Sequence, residues 1–217
     1  MYEGEVEHRD SAGAGGVIQN GDVQWMTAGS GLVHEEWHGK NFAKTGGMFE
    51  MVQLWVNLPK KDKMTNPRYQ EITQKNIPQI ELPHNAGTLS IIAGQYLTTA
   101  GAAKTFSPIN LWNIKMHSGT KTELQVPDGH TALLLVIKGK INISDTHDIA
   151  SAEIAILDTL GDKIIFTALE ESTLLFLGGQ PLKEPVVGYG PFVMNTQEEI
   201  NQAIRDYQEG KMGIINI

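Results

Sequence analysis

The 217-residue sequence contains no cysteine, which excludes a disulfide framework and any thiolate-bound metal. A metal bound by this chain must therefore be held by imidazole and carboxylate groups. The sequence also lacks an apolar run of membrane-spanning length and a charged segment followed by an apolar leader. It has no excess of positive charge either, since the net charge is −8, which argues against a nucleic-acid partner. We therefore expect a cytoplasmic protein with neither a membrane nor a nucleic acid as its partner.

Turn-forming residues are abundant, because the chain has 23 glycines and nine prolines, and they favour short strands over long helices. Apolar and polar residues alternate between these turns, which is typical of strands. In the first third this pattern predicts strands at residues 3–9, 17–19, 23–27 and 32–37, and a longer one at 48–58. A second β-rich region is predicted over residues 88–179. The sequence therefore predicts an all-β protein.

One helix is predicted near the end of the chain. The sequence Thr196-Gln197-Glu198-Glu199 forms a capping box, in which the Thr196 hydroxyl and the Glu199 carboxylate can accept from first-turn amides. Apolar residues then follow at one-face helical spacing, and Gly210 provides a stop: Ile200, Ala203, Ile204 and Tyr207. We expect this helix to dock its apolar face on a barrel.

The two β-rich regions share a short repeat. Gly21-Asp22 precedes Thr27-Ala28 in the first region, and Gly161-Asp162 precedes Thr167-Ala168 at identical spacing in the second. A glycine within a strand-like run lies upstream of each, at Gly4 and at Gly139. The repeat favours two copies of one barrel.

The repeat also predicts that the first barrel is incomplete. Strand-like sequence extends from Thr88 to Gly139 in the second copy, whereas three residues precede Gly4 in the first. A barrel must close to avoid exposed strand edges. We therefore expect an open edge in the first barrel, through which copies of the chain could self-associate.

The segment His34-Glu35-Glu36 carries the candidate metal ligands. Residues two apart on a strand point to the same face, so His34 and Glu36 should project together, with Glu35 and Trp37 on the other face. Superposing the repeat puts Leu174 and Phe176 at the equivalent positions, which predicts an apolar interior in the second barrel.

The other histidines have less distinctive contexts. His8 lies beside Arg9 and Asp10, and a surface network is expected there rather than a metal ligand. The remaining histidines are expected in loops: His38, His84, His117, His130 and His147.

Several stretches, taken in order along the chain, resemble sequences of the pirin family. In the first half they are Glu3-Gly4-Glu5-Val6-Glu7-His8-Arg9-Asp10-Ser11, Gly21-Asp22-Val23-Gln24-Trp25-Met26-Thr27-Ala28-Gly29, Gly31-Leu32-Val33-His34-Glu35-Glu36 and Gln53-Leu54-Trp55-Val56-Asn57-Leu58-Pro59. Near the end of the chain the matching stretch is Tyr189-Gly190-Pro191-Phe192-Val193-Met194-Asn195-Thr196.

The resemblance implies two cupin barrels (double-stranded β-helices of jelly-roll type) in tandem, with a C-terminal helix. Residues 1–59 would form the incomplete N-terminal barrel, 60–87 the connection, and 88–217 the C-terminal barrel with the helix. In the family one metal, usually iron, is bound in the N-terminal barrel by three histidines and a glutamate. His34 and Glu36 match one histidine and the glutamate.

The other two family ligands form a His-x-His on a strand that would end just before Met1. The sequence thus predicts half a metal site, with iron or another divalent transition metal bound weakly or not at all. His8 or His38 moving into the site is the less favoured alternative.

Three functions follow from the resemblance. The first is a quercetin 2,3-dioxygenase, an oxidoreductase that cleaves a flavonol with dioxygen, with Glu36 as both ligand and catalytic base. On this hypothesis Met26, Met51 and Trp55 either line the substrate pocket or pack in the core. The second is a non-catalytic, metal-dependent regulator that binds transcription factors or metabolic enzymes. The third is an inactive fragment of a longer protein.

Overall fold

The chain divides into two units in the computed structural model, which describes residues 1–215. The first unit combines residues 1–74 with the segment from Leu182 onward, and the second is Lys75–Pro181. The sequence predicts boundaries at residues 59 and 88 and places the C-terminal helix with the second barrel. The structure instead groups that helix with the first unit.

The N-terminal part of the first unit is built from short antiparallel strands. They are β1 (Val6–Asp10), β2 (Gly15–Ile18), β3 (Val23–Thr27), β4 (His34–His38) and β5 (Arg68–Ile72), with helix α1 (Lys40–Thr45) and a 3-10 turn (Lys60–Asp62) between β4 and β5. The strands form a three-stranded sheet in the order β2-β1-β4 and the pair β3-β5. The four short strands predicted before residue 40 are thus confirmed, within a few residues at their ends.

The second unit contains a much larger set of strands. They are β6 (Gln79–Glu81), β7 (Gly87–Ala93), β8 (Gln95–Tyr96), β9 (Thr99–Ala100), β10 (Ile109–Met116), β11 (Lys121–Gln125), β12 (Thr131–Lys138), β13 (Lys140–Ile143), β14 (His147–Ala150), β15 (Ile154–Ile156), β16 (Lys163–Ala168) and β17 (Ser172–Gly179). Two 3-10 turns lie at Gln74–Asn76 and Pro83–Asn85. A six-stranded sheet (β15-β12-β17-β10-β7-β6) and a four-stranded sheet (β11-β16-β13-β14) make up the barrel, and β8-β9 is a small hairpin. The β-rich region predicted over 88–179 is confirmed.

The C-terminal segment returns to the first unit as the hairpin of β18 (Val187–Tyr189) and β19 (Phe192–Met194), followed by α2 (Gln197–Gln208). The predicted capping box is present, since the Glu199 amide donates to Thr196 Oγ1 at 3.2 Å and the Thr196 amide donates to Glu199 Oε2 at 3.1 Å. Ile200 is fully buried, whereas Tyr207 at the far end of the predicted apolar face is exposed. Of the helices within residues 1–215, none has the length and apolarity needed to cross a bilayer.

Polar contacts hold this C-terminal segment on the first unit. Ser11 Oγ donates to the Met212 carbonyl at 2.6 Å, and the buried Lys63 ammonium donates to the Val193 carbonyl at 3.0 Å. Burial lowers the pKa of Lys63, although Glu184 and Glu199 act in the opposite direction. These partners are far apart in sequence, so local patterns do not show that the helix packs with residues 1–74.

The glycines of the repeat have the same backbone conformation in both copies. Gly4 and Gly139 have φ of 107° and 86°, and Gly21 and Gly161 have φ of 86° and 115°. A Cβ atom at Gly139 would lie 2.5 Å from the Glu171 carbonyl oxygen, so a side chain is excluded there on steric grounds as well. The matched conformations support two copies of one barrel.

The interior of the second unit is apolar, as predicted. Leu174 and Phe176 are 0% and 1% exposed and lie in one cluster with Trp112, Ile114 and Leu134. The ring of Phe176 stacks on that of Trp112 at a centroid distance of 4.5 Å. The positions that superpose on His34 and Glu36 therefore carry core packing in this copy.

The long strand predicted at 48–58 is wrong. The structure assigns only an isolated bridge between Glu3 and Glu50 in this stretch. Met48 and Trp55 are each 68% exposed, and Val56 is 48% exposed. Alternation of apolar residues predicts a strand with one buried face. Here the segment is not a strand, because it has no continuous partner strand among the residues described.

Candidate metal centre

Two paired strands bring the candidate ligands onto one face. Strands β1 and β4 are antiparallel, and their register places His8 opposite Glu36 and Asp10 opposite His34. Residues directly opposite each other in an antiparallel pair project to the same side of the sheet. The predicted shared orientation of His34 and Glu36 is confirmed, and His8 and Asp10 join them on that face.

The opposite face of the same strands carries a separate set of contacts. Arg9 lies opposite Glu35, and their side chains form an ion pair. The Arg9 guanidinium also lies 5.4 Å from the centroid of the Trp37 ring, within cation–π range. Glu35 and Trp37 thus point away from the metal ligands, as the two-residue period predicts.

Three donor groups converge at the site. One ligand atom from each of His8, His34 and Glu36 lies within 4.8 Å of the other two. His8 Nδ1 and His34 Nδ1 are 3.5 Å and 3.9 Å from Glu36 Oε1. Since imidazole nitrogen and carboxylate oxygen bind transition metals at about 2.0–2.2 Å, donors sharing one ion lie roughly 3–4 Å apart. The two imidazole–carboxylate spacings fit a single shared ion.

His8 was expected in a surface network, and the structure corrects that expectation. The residue is only 3% exposed, and its ring stacks on Tyr69 with a centroid distance of 5.0 Å and an interplanar angle of 13°. Charged neighbours in the sequence concealed this burial, because Glu7 and Arg9 lie on the other face of β1. The available signal was the two-residue period of Val6, His8 and Asp10, all of which are buried.

The second ring nitrogen of His8 also fits a metal ligand. His8 Nε2 is buried, has no hydrogen-bond partner within residues 1–215, and lies 3.5 Å from Asp10 Oδ2. The other Asp10 oxygen accepts from the amides of Ala12 and Ala14 at 2.9 and 3.0 Å, which fixes the carboxylate. A carboxylate beside Nε2 favours a proton there and puts the lone pair on Nδ1, which accepts from Gln24 Nε2 at 3.1 Å and would bind a metal in place of that hydrogen bond.

Gln24 orients the carboxylate ligand. Its Nε2 donates to Glu36 Oε1 at 2.6 Å and lies 3.1 Å from His8 Nδ1. Gln53 Nε2 makes a longer bond of 3.4 Å to Glu36 Oε2. Gln24 in strand β3 therefore ties the ligands of β1 and β4 together, a role that its sequence context did not indicate.

Tyr69 in β5 completes the wall behind His8. Burial, together with the nearby Glu71, Glu36 and Asp10 carboxylates, raises the pKa of Tyr69 to about 12. The phenol is therefore protonated at neutral pH, and it donates to Gln24 Oε1 at 3.5 Å.

An apolar cavity of about 400 Å³ adjoins the site. It is lined by Val6, Glu36, Trp37, His38, Phe49 and Met51. Met51 lies in the wall as expected, whereas Met26 and Trp55 do not line this cavity. Glu36 belongs both to the donor group and to the cavity wall, so a molecule bound there would lie next to the metal ligands.

The remaining histidines lie outside the donor group. His38 was expected in a loop but ends strand β4, where its ring packs on Phe42 and Phe49 at centroid distances of 5.3 and 4.8 Å. His147 begins strand β14, which also differs from the loop prediction. His84, His117 and His130 lie outside the strands, as predicted.

The donor chemistry therefore fits a mononuclear transition metal. Two imidazoles and one carboxylate, with coordination positions left open, are the set used by non-haem iron oxygenases. The predicted half-site of two ligands from one strand was incomplete, because His8 adds a third donor from a second strand. The residues that would hold the metal are His8, His34 and Glu36.

Comparison with known proteins agrees with the fold. The sequence profile described as Pirin matches residues 1–56, and that of the Pirin C-terminal cupin domain matches residues 111–213. The crystal structure of a quercetin 2,3-dioxygenase from Acinetobacter baumannii is 52% identical, with a TM-score of 0.95 over 99% of this chain and 75% of that one.

Two further relatives are informative. A protein from Pseudomonas aeruginosa, provisionally named as a quercetin 2,3-dioxygenase, is 48% identical over 211 residues, which cover 97% of this chain and 73% of that protein. The Escherichia coli pirin YhhW, whose structure was solved in complex with nickel(II), shares the fold with a TM-score of 0.61 and 20% identity over 82% of this chain and 69% of its own. From its paired cupin units, its sequence profiles and these relatives, the chain belongs to the pirin family.

Proposed function

We propose that this pirin binds one divalent transition-metal ion through His8, His34 and Glu36 and uses it to cleave a flavonol with dioxygen. The observation that carries the proposal is the convergence of three donor atoms within 4.8 Å on the face shared by β1 and β4. Iron is the metal to test first, because two imidazoles and one carboxylate are its ligands in many oxygenases. Nickel is the second, since a pirin with the same fold was solved with it.

The bound ion would supply Lewis-acid and redox chemistry, and the protein side chains would position the substrate and handle its proton. Glu36 is the candidate base. Its Oε1 is held by the 2.6 Å bond from Gln24, while Oε2 takes only a 3.4 Å bond from Gln53. Oε2 is therefore the oxygen more available to accept a hydroxyl proton from the flavonol.

The cavity beside Glu36 supports a planar aromatic substrate. Its volume of about 400 Å³ is within the range of small-molecule sites, and its wall includes Val6, Phe49 and Met51. An apolar wall of this kind offers a surface on which a planar ring can pack. The relative of 52% identity is described as a quercetin 2,3-dioxygenase, which supports quercetin as the first substrate to test.

The test compares metal content and quercetin turnover in matched variants. The purified chain is loaded with Fe(II) or Ni(II) without oxygen, and bound metal is measured per protein by elemental analysis. Turnover is then followed as loss of quercetin absorbance together with oxygen consumption. We expect one metal per chain and turnover in the wild type, and the loss of both in His34→Ala.

Glu36→Gln separates the two roles of the carboxylate. The amide can still occupy the position and accept a hydrogen bond, but it cannot take up a proton at neutral pH. We expect weakened metal binding and, at saturating metal, a loss of turnover. Stoichiometric metal with no consumption of quercetin or oxygen would exclude the dioxygenase and leave the metal-dependent regulator. A wild-type chain that takes up no metal would refute the proposal as a whole.

A further inference from the structure

The thioether of Met51 lies beside the candidate metal ligands. Met51 lines the cavity of about 400 Å³ whose wall also contains Glu36. The residues two positions before and after it both contact strand β4. The Phe49 ring packs on that of His38 at a centroid distance of 4.8 Å. Gln53 Nε2 donates to Glu36 Oε2 at 3.4 Å. Contacts on both sides of Met51 therefore hold this segment next to the carboxylate ligand.

Backbone hydrogen bonds fix the same segment at Glu50. The Glu50 amide donates to the Glu3 carbonyl at 2.8 Å, and the Tyr2 amide donates to the Glu50 carbonyl at 2.8 Å. The residue that follows Glu50 is Met51. Its place in the cavity wall is thus set by the backbone as well as by its neighbours' side chains.

Methionine is the oxidisable group of this wall. The chain contains no cysteine, so thioethers are the only sulfur groups that it offers. A thioether is converted by peroxide to the sulfoxide, which replaces a flexible apolar side chain by a polar one. Met51 combines this reactivity with a place in the same cavity as Glu36.

We propose that Met51 is a modification site of the metal centre, at which hydrogen peroxide converts the thioether to the sulfoxide. The inference rests on the metal-binding part of the proposed function, because the bound ion would activate peroxide beside Glu36. In the step the O–O bond of peroxide breaks, and one oxygen bonds to the sulfur, which loses two electrons. The other oxygen leaves as water with both protons. The product carries a polar group in the cavity wall.

Exposure alone predicts a different order of oxidation. Met48 and Met64 are 68% and 61% exposed, whereas Met51 is 37% exposed. Neither Met48 nor Met64 lines the cavity. Peroxide in solution oxidises the most accessible thioethers first. Oxidation directed by the metal centre should reverse this order, because peroxide activated at the ion reacts with the oxidisable group next to it.

Met26 is the competing thioether near the site. It lies two residues after Gln24 in β3 and opposite Tyr69 in β5. It is half-buried and does not line the cavity. Since peroxide enters through the cavity, we expect Met51 to be oxidised ahead of Met26.

The experiment maps oxidation in the full chain. The protein is loaded with one Fe(II) per chain without oxygen, treated with limiting hydrogen peroxide and quenched, and peptide mass spectrometry reads the oxygen added at each methionine. The Zn(II)-loaded protein is the matched control, because zinc is not redox-active. We expect Met51 to be oxidised before Met48 and Met64 with iron, and after them with zinc. His34→Ala, which removes a metal ligand, should give the zinc order.

Two variants identify the sulfur that reacts. Met51→Leu keeps an apolar side chain of similar size and should lower the total iron-dependent uptake of oxygen to the zinc level. Met48→Leu, three positions away and outside the cavity, should leave that uptake unchanged. Oxidation of Met48 and Met64 ahead of Met51 in the iron-loaded protein would overturn the proposal. Oxygen added to Met26 or to the ligand histidines in place of Met51 would do the same.

Bound iron, measured in the same samples, separates this inference from the proposed dioxygenase. Selective oxidation of Met51 in iron-loaded protein supports the inference even if quercetin is not consumed, because the assay needs neither quercetin nor its turnover. Stoichiometric iron with the exposure-ranked order refutes the inference and leaves the dioxygenase standing. A chain that takes up no metal refutes both.

Discussion

His8 and Glu36 face each other directly across the antiparallel strands β1 and β4, with His8 Nδ1 3.5 Å from Glu36 Oε1. Only 28 positions separate them, but neither local pattern indicates the other residue. Their pairing turns two candidate ligands on one strand into three on two strands. Metal affinity should therefore depend on β1 as much as on β4.

Removing His8 tests this dependence. Removing a residue that hydrogen-bonds to a metal ligand lowers metal affinity about 10–100-fold. Removing a direct ligand should therefore weaken Ni(II) binding by more than about 100-fold. We expect that result for His8→Ala in calorimetric titrations at neutral pH. His38→Ala is the control, because His38 lies on the same face but packs on Phe42 and Phe49. Equal affinity in wild type and His8→Ala would show that His8 is not a ligand.

Gln24 should act as a positioning residue. Gln24→Leu keeps the side chain's approximate size but removes the 2.6 Å bond to Glu36 Oε1, so we expect metal affinity to fall about tenfold. Gln53→Leu removes only the 3.4 Å bond to Oε2 and should have a smaller effect. The measurement is the dissociation constant of Ni(II) as a function of pH. If Gln24→Leu bound Ni(II) with the wild-type dissociation constant at every pH, this role would be contradicted.

Phe176 should dominate the stability of the second unit. It is 1% exposed and stacks on Trp112, so Phe176→Ala should lower the free energy of unfolding by about 3–5 kcal/mol. Urea unfolding followed through amide signals of residues 75–181 provides the measurement. Ile156→Ala serves as the control, because Ile156 is 75% exposed and its loss should have little effect. A similar loss in the free energy of unfolding in both variants would argue against a packed interior at Phe176.

The cap of α2 should contribute a smaller, local stability. Thr196→Ala removes the oxygen that accepts from the Glu199 amide, which should cost about 1 kcal/mol. Thr196→Ser retains the hydroxyl and should keep most of that stability. Hydrogen exchange of the amides in residues 197–208 reports the change. If the Ser and Ala variants exchanged equally fast, the hydroxyl would not be the stabilising group.

The β-rich architecture, the repeat and the capping box could all be predicted from the sequence. Each depends on neighbours within a few residues: the two-residue period of strands, the requirement for glycine at positive φ, and the spacing from Thr196 to Glu199. The same local rule placed His34 and Glu36 on one face. It failed at residues 48–58, where the alternation was present but residues 1–215 provide no continuous partner strand.

The tertiary structure alone decided which residues meet. Strand register brought His8 to Glu36, β3 brought Gln24 to both, and the contacts of Ser11 and Lys63 placed the C-terminal segment on the first unit. Side-chain direction along a strand is set by local backbone geometry, so the sequence determined it. Pairing between distant segments depends on the free energy of the whole packed unit, and local sequence patterns do not contain that information.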